Sequence, residues 1–144
     1  MSEDSDRLAI LALLDRYAEA LDSRRWELLE EVFDPEVVFD FGPAWQTVGL
    51  DQALARIRSA LDVCAATQHL QSNYRIEIDG GRARSRVYVR AFHLGAGSAA
   101  GRHYEMGGEY RDELRRGAEG WRSVRRVGRM HFELGDPAVL APKG

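Results

Sequence analysis

The run YRIEIDGGRARSRVYVRAFH, residues 74–93, decides the fold. Before the turn signal Asp79-Gly80-Gly81, the apolar residues Tyr74, Ile76 and Ile78 alternate with Arg75 and Glu77; after it, Ala83, Ser85, Val87 and Val89 alternate with Arg82, Arg84, Arg86 and Arg90. A period of two on both sides of an Asp-Gly turn predicts two antiparallel strands, each with one dry face and one wet face.

Strands are expected at about 67–79, 82–94, 102–116 and 120–133, parted by the turn-forming stretches GAGSAAG and RRGAEG. Upstream the period changes. Residues 5–22 place Leu11, Leu14, Ala18 and Leu21 at helical steps, opposite Asp15, Arg16 and Glu19. SRRWELLEEVF reads as a second, short helix with Ser23 as its cap, stopped by Asp34-Pro35; EVVFDFG reads as a strand and GLDQALARIRSALDVCA as a third helix. Helices first and hairpin strands afterward predict one α+β domain over residues 1–144, in which a curved antiparallel sheet wraps the helices and leaves a pocket beside the first helix.

Composition narrows the function classes. No run of about 18 apolar residues occurs, and MSEDSDR lacks the basic and apolar regions of a secretory signal, so a soluble, cytoplasmic protein is expected. The single Cys64 closes no internal disulfide and reads as a small core residue. Net charge is −3, with 6 Lys+Arg against 14 Asp+Glu in residues 1–70 and 14 against 9 thereafter. The basic excess falls on the wet strand faces, and an acidic chain does not suit a nucleic-acid reader. His69, His93, His103 and His131 have no metal-ligand spacing, so no metal is expected. There is no nucleophile elbow, phosphate loop or dinucleotide fingerprint.

The polar residues on dry faces are the site candidates. Asp22 lies on the stripe of Leu11, Leu14 and Ala18, so its carboxylate is expected to point inward at a helix C-terminus, where the macrodipole disfavours an anion unless a donor meets it. The alternative is a cap for the second helix. His69 can be that donor, keeping its other nitrogen for general-base work. It shares odd numbering with Arg75 and Glu77, so a pocket-facing His69 requires a bulge between 69 and 74. His93 continues the dry face of Val87, Val89 and Ala91. Arg126 shares a face with Val124, Gly128, Met130 and Phe132, where a guanidinium needs either a structural carboxylate or an anionic ligand. Tyr110 and Tyr17 read equally as packing and as site residues. Pro137, Val139 and Leu140 make the tail either a lid over the pocket or a frayed end.

LLDRYAEALDSRRWELLEEVFDPEVVFDFG, together with TQHLQSNYRIEI, resembles the SnoaL-like group of the nuclear-transport-factor-2-like superfamily, and is closest in pattern to the branch of scytalone dehydratase, hexachlorocyclohexane dehydrochlorinase and bile acid 7α-dehydratase. The resemblance implies a cone-like α+β barrel and a cofactor-free lyase acting on a small, mostly apolar ring. Its catalytic pair would be Asp22 and His69, with Tyr17, His93 and Arg126 in the pocket. Phe41, Gly108 and Tyr110 depart from the scytalone dehydratase pattern, which argues against scytalone itself. A second resemblance, to ketosteroid isomerase, implies an isomerase or cyclase using Asp40 as base and Tyr17 as oxyanion donor. A third reading is a ligand-binding module without catalysis. Family likeness also implies a homo-oligomer, dimer or trimer, formed through the outer sheet face.

Overall fold

The structure is a computed structural model that describes residues 2–141. Helix α1 spans Glu3–Ser23, capped by Ser2, whose side chain accepts from the Ser5 N–H. Its buried stripe is Ile10, Leu13, Leu14, Tyr17, Ala20 and Leu21, while Leu11 and Ala18, expected on that stripe, are only half-buried at its edge. The helix ends at Arg24, which adopts a left-handed backbone (φ 59°) and returns its N–H to the Ala20 and Leu21 carbonyls.

The expected second helix is a 3₁₀ turn, Trp26–Glu31, and Ser23 does not cap it: the Ser23 hydroxyl donates back to the Glu19 carbonyl. Strand β1, Phe33–Asp40, includes Asp34-Pro35, and its pairing skips from Phe33 to Val38, so the proline sits where no ladder bond is required of it. A three-residue strand unforeseen in the sequence, β2 (Gln46–Val48), pairs with β1 before helix α2, Leu50–Leu61. Then come β3 (Cys64–Asp79), β4 (Arg82–Gly95), β5 (His103–Gly117) and β6 (Gly120–Gly135), followed by a short 3₁₀ turn, Pro137–Leu140.

The six strands form one sheet in the order β2-β1-β6-β5-β4-β3, antiparallel except for β1 against β6. The sheet is curved and unclosed, and its inner face packs on α1 and α2. Alternation runs the length of β4: Ala83, Ser85, Val87, Val89, Ala91 and His93 are buried, Arg82, Arg84, Tyr88, Arg90 and Phe92 are exposed, and Arg86 on the outer face is half-buried. Asp6 anchors the start of α1 to the far hairpin, accepting from Trp121 Nε1 at 2.9 Å and Arg116 Nη1 at 2.8 Å.

Curvature comes from bulges. The β3 register shifts between Ser72 and Arg75, with Asn73 at φ 55°, so the inward set changes from His69 to Ile76. That bulge answers the parity problem posed by the sequence. On β6, Val124 is the extra residue between Ser123 and Arg125, and His131 that between Met130 and Phe132. These shifts divide the single face expected for Val124 through Phe132: Arg126, Gly128 and Met130 lie on the inner face, but Phe132 pairs with Gly107 on the outer one.

Candidate active site

A cavity of about 690 Å³ opens between the concave sheet and the two helices, a size suited to one small organic molecule. Its buried end is walled by Tyr17, Leu21, His69, Ala91, His93 and Tyr110. Gly128 shapes one wall: a Cβ there would meet the Phe41 ring at 2.6 Å, so only glycine lets that ring lie flat on β6. Phe41 in turn lies against Trp45, ring centroids 4.4 Å apart and planes tilted by 34°.

Asp22 and His69 meet at the buried end. Oδ1 lies 2.7 Å from His69 Nδ1, and Oδ2 accepts the backbone N–H of His69 at 2.7 Å. Thr67 Oγ1 donates to Oδ1 at 3.0 Å and is itself held by Arg24 Nη1 at 2.9 Å. Three donors therefore offset the unfavourable end of the α1 dipole. Burial pushes the Asp22 carboxyl up, but the His69 and Thr67 hydrogen bonds outweigh it and hold the group below the ordinary aspartate value. The alternative of a helix cap is not what the carboxylate does. Because an ionised carboxylate only accepts, Nδ1 must carry the proton, which makes Nε2 the basic nitrogen of a side chain that lines the cavity.

His93 is 5.9 Å from His69, ring centroid to centroid, at an interplanar angle of 82°. Its Nδ1 donates to the Tyr104 carbonyl at 3.0 Å, so its Nε2 is also an acceptor. Burial pushes its pKa down to about 4, and the ring is neutral at physiological pH. Tyr17 sits edge-on to His69 at 6.4 Å and to Tyr110 at 5.6 Å. Burial pushes both phenols above the ordinary tyrosine value, so each keeps its proton as a hydrogen-bond donor.

Two sequence candidates stand apart from the walls. Arg126 is fully buried beneath them, bidentate to Asp112 at 2.8 and 2.9 Å, with its guanidinium carbon 4.3 Å from the Tyr17 ring centroid and 4.5 Å from that of Tyr110. Of the two sequence alternatives, it takes the structural ion pair. Asp40 faces away, bonded to Arg125 Nη2 at 3.2 Å, the Gly42 N–H and Gln46. The structure does not bring it to Tyr17. Conversely, sequence reasoning passed over Trp45, Tyr104, Arg56 and Arg129 on the walls and Arg24 behind Thr67. Thr67 had a usable signal, lying two residues before His69 on the same strand face.

The tail is docked up to Leu140. Val139 is buried against Ala99 and Tyr104, and Pro137 and Leu140 complete the cavity rim; residues 142–144 lie outside the described part. Cys64 is half-buried beside this tail. Among the described residues, no three or more His, Cys, Asp or Glu side chains gather as a metal site, and no helix is long and apolar enough to cross a membrane.

Residues 2–127 match the family model described as a SnoaL-like domain. An uncharacterized protein of Mycobacterium tuberculosis, Rv2910c, is 32% identical over 137 residues, 92% of this chain and 90% of that protein. Among solved structures, a provisionally assigned scytalone dehydratase from Novosphingobium aromaticivorans superposes with a TM-score of 0.82 at 21% identity, covering 92% of this chain and 88% of the other. The type 3 hexachlorocyclohexane dehydrochlorinase LinA from Novosphingobium barchaimii superposes with a TM-score of 0.79 at 17% identity, covering 99% and 100%. At such identities the structural likenesses establish the fold.

Proposed function

The chain belongs to the SnoaL-like domain family, and from that premise we propose that it is a cofactor-independent lyase that eliminates water, or a comparable leaving group, from a small, mostly apolar ring substrate. The supporting observation is the Asp22–His69 pair: a carboxylate that accepts both N–H groups of one histidine, at 2.7 Å each, and so presents Nε2 as the base. The names of the two structural neighbours, a dehydratase and a dehydrochlorinase, fit the same reaction class.

In the proposed reaction His69 Nε2 takes the proton from a carbon next to a carbonyl, and Asp22 stabilises the imidazolium. Tyr17, a donor at the same end, hydrogen-bonds the developing enolate oxygen. The electron pair then forms the carbon–carbon double bond as the carbon–oxygen bond breaks. The departing hydroxide takes the proton from the His69 imidazolium, leaving water and a neutral base. His93 Nε2, an acceptor, holds the substrate hydroxyl before it leaves.

Isomerisation or cyclisation could use the same base, but a layout with Asp40 as base lacks support, because Asp40 is bound to Arg125 outside the cavity. The open cavity and the 2.7 Å contact weigh against a non-catalytic module, whose pocket would be filled by its own side chains. The test is turnover of a β-hydroxy ketone on a fused two-ring skeleton, whose loss of water yields a fluorescent naphthol. Wild type should form it, and His69→Ala and Asp22→Asn should not. Near-normal rates in both variants would sink the dyad.

We also propose that copies of the chain associate through the outer sheet face, which exposes Leu70, Tyr88, Phe92, Leu94, Phe132 and Leu134. Sedimentation should show dimers or trimers at micromolar concentration, and monomer alone would refute this.

A further inference from the structure

Arg24 stands where many helices place glycine. It closes α1 with a left-handed backbone, φ 59°, a conformation that is unfavourable for a residue with a Cβ and free for glycine. The side chain makes use of the position. Its Nη1 donates to the Leu21 carbonyl at 2.6 Å and to Thr67 Oγ1 at 2.9 Å, and its Nη2 donates to the Leu61 carbonyl at 3.0 Å. One guanidinium thus ties the C-terminal end of α1 to that of α2 and to β3, the strand that bears His69. All three acceptors are uncharged.

An anion lies one hydroxyl away. A threonine hydroxyl has a single proton, and because Arg24 donates to its oxygen, that proton goes to Asp22 Oδ1 at 3.0 Å. The same Oδ1 accepts from His69 Nδ1 at 2.7 Å. Guanidinium, hydroxyl, carboxylate and imidazole therefore form a chain in which every proton is assigned. A guanidinium bonded directly to Asp22 would take the oxygens that His69 needs, as Arg126 takes both oxygens of Asp112. With Thr67 interposed, the cation draws charge from Oδ1 while both Asp22 oxygens stay on His69.

We propose that Arg24 and Thr67 are positioning residues for the Asp22–His69 pair: through the Thr67 hydroxyl, the Arg24 cation holds Oδ1 in place and withdraws charge from it, which keeps the His69 ring a neutral base. The physical reason is competition. Each donor on Oδ1 lessens the charge left to stabilise an imidazolium, and a guanidinium behind that donor opposes a second cation directly. Neighbouring groups do not do the same. Tyr17 from α1 and His93 from β4 face the ring, but the phenol keeps its proton and His93 titrates at about 4, so neither changes charge near neutral pH. Cys64, earlier on β3, is a thiol pushed up by burial and stays uncharged there, and α2 meets this chain through the Leu61 carbonyl. The catalytic meaning of the arrangement rests on His69 being the base.

The test follows protonation of the His69 ring by nitrogen NMR in protein labelled at its histidines, with the signal assigned by its loss in His69→Gln, and it needs no substrate. Thr67→Val removes the hydroxyl but keeps the side-chain shape and the two carbonyl contacts of Arg24, whereas Thr67→Ser keeps the hydroxyl. In Thr67→Val the pH at which the ring takes up its second proton should rise by about half a unit or more. Thr67→Ser should stay within about 0.2 units of wild type. Arg24→Gln should raise it as well, and the double variant should shift it by less than the two single shifts together, because the cation acts through the hydroxyl. No rise in Thr67→Val, an equal rise in Thr67→Ser, or full additivity would overturn the proposal; if Arg24→Gln does not fold, the two Thr67 variants decide. A rise in Thr67→Val beside wild-type turnover by His69→Ala would uphold the positioning role and strike the base, and a flat titration beside a dead His69→Ala would do the reverse.

Discussion

Asp22 and Asp112 each meet a nitrogen base at hydrogen-bond distance, Asp22 with His69 Nδ1 at 2.7 Å and Asp112 with Arg126 Nε at 2.8 Å. The Arg126 pair is sealed, with side chains 0% and 1% exposed, and rings cover the guanidinium. The Asp22 side chain is 24% exposed, and its histidine borders the cavity. Guanidinium does not give up its proton in a protein, so the sealed pair can only hold β5 to β6 and support Tyr17 and Tyr110 from below. Imidazole can take and release one near neutral pH. Partner chemistry and access, rather than the carboxylate, separate a structural pair from one suited to catalysis.

The two pairs should differ most under substitution at the proposed base. His69→Ala should lower turnover by a factor on the order of 10³ or more with only a modest loss in thermal melting, since Asp22 keeps the residue 69 backbone N–H and the Thr67 hydroxyl as donors. Asp112→Ala should do the opposite. It strands a buried cation and should cost about 3–5 kcal/mol in chemical denaturation, whereas Asp112→Leu combined with Arg126→Met should recover much of that loss. A cost under about 1 kcal/mol for Asp112→Ala would mean that the sealed pair is not structural.

The pH dependence of stability sharpens the contrast. His93 titrates at about 4 in the folded chain because it is buried, against about 6.5 when unfolded. The unfolded chain thus binds the extra proton first as pH falls. Stability from this group is complete above about pH 6.5 and is lost progressively toward pH 4, by at most about 3 kcal/mol. Asp22, depressed by its donors, adds a loss at still lower pH as its carboxylate is protonated. His93→Gln should flatten the denaturation midpoint between pH 6.5 and 4, and an unchanged slope would contradict the burial argument. Smaller still, Tyr17→Phe should cost about tenfold in kcat. Asp40→Asn should leave kcat within about twofold, in keeping with its place outside the cavity.

The sheet was legible because alternation survives from Arg82 to His93 without interruption, and the antiparallel hairpins followed from it. The His69 problem was legible as well: parity demanded a bulge, and Asn73 supplies one. What could not be read was where β6 changes face, since Val124 and His131 bear no mark distinguishing a bulged residue from a paired one. That uncertainty hid the environment of Arg126. Its carboxylate, Asp112, lies 14 positions away on the neighbouring strand, and only strand register brings them together. Asp40 misled for the same reason, because its inward or outward sense depends on the break in β1 pairing between Phe33 and Val38. The docked tail was half legible. Its apolar residues signalled contact, but not that Val139 would be buried beside Tyr104.

The most direct test of the central claim needs no leaving group. A fused-ring ketone is incubated with the protein in heavy water, and deuterium entering the carbon beside the carbonyl is followed by proton NMR. The wild-type chain should speed this exchange well above the buffer rate, Asp22→Asn should slow it, and His69→Ala should return it to the buffer rate, while Asp112→Leu with Arg126→Met should still exchange. Exchange by His69→Ala at the wild-type rate would show that the Asp22–His69 pair is not the base.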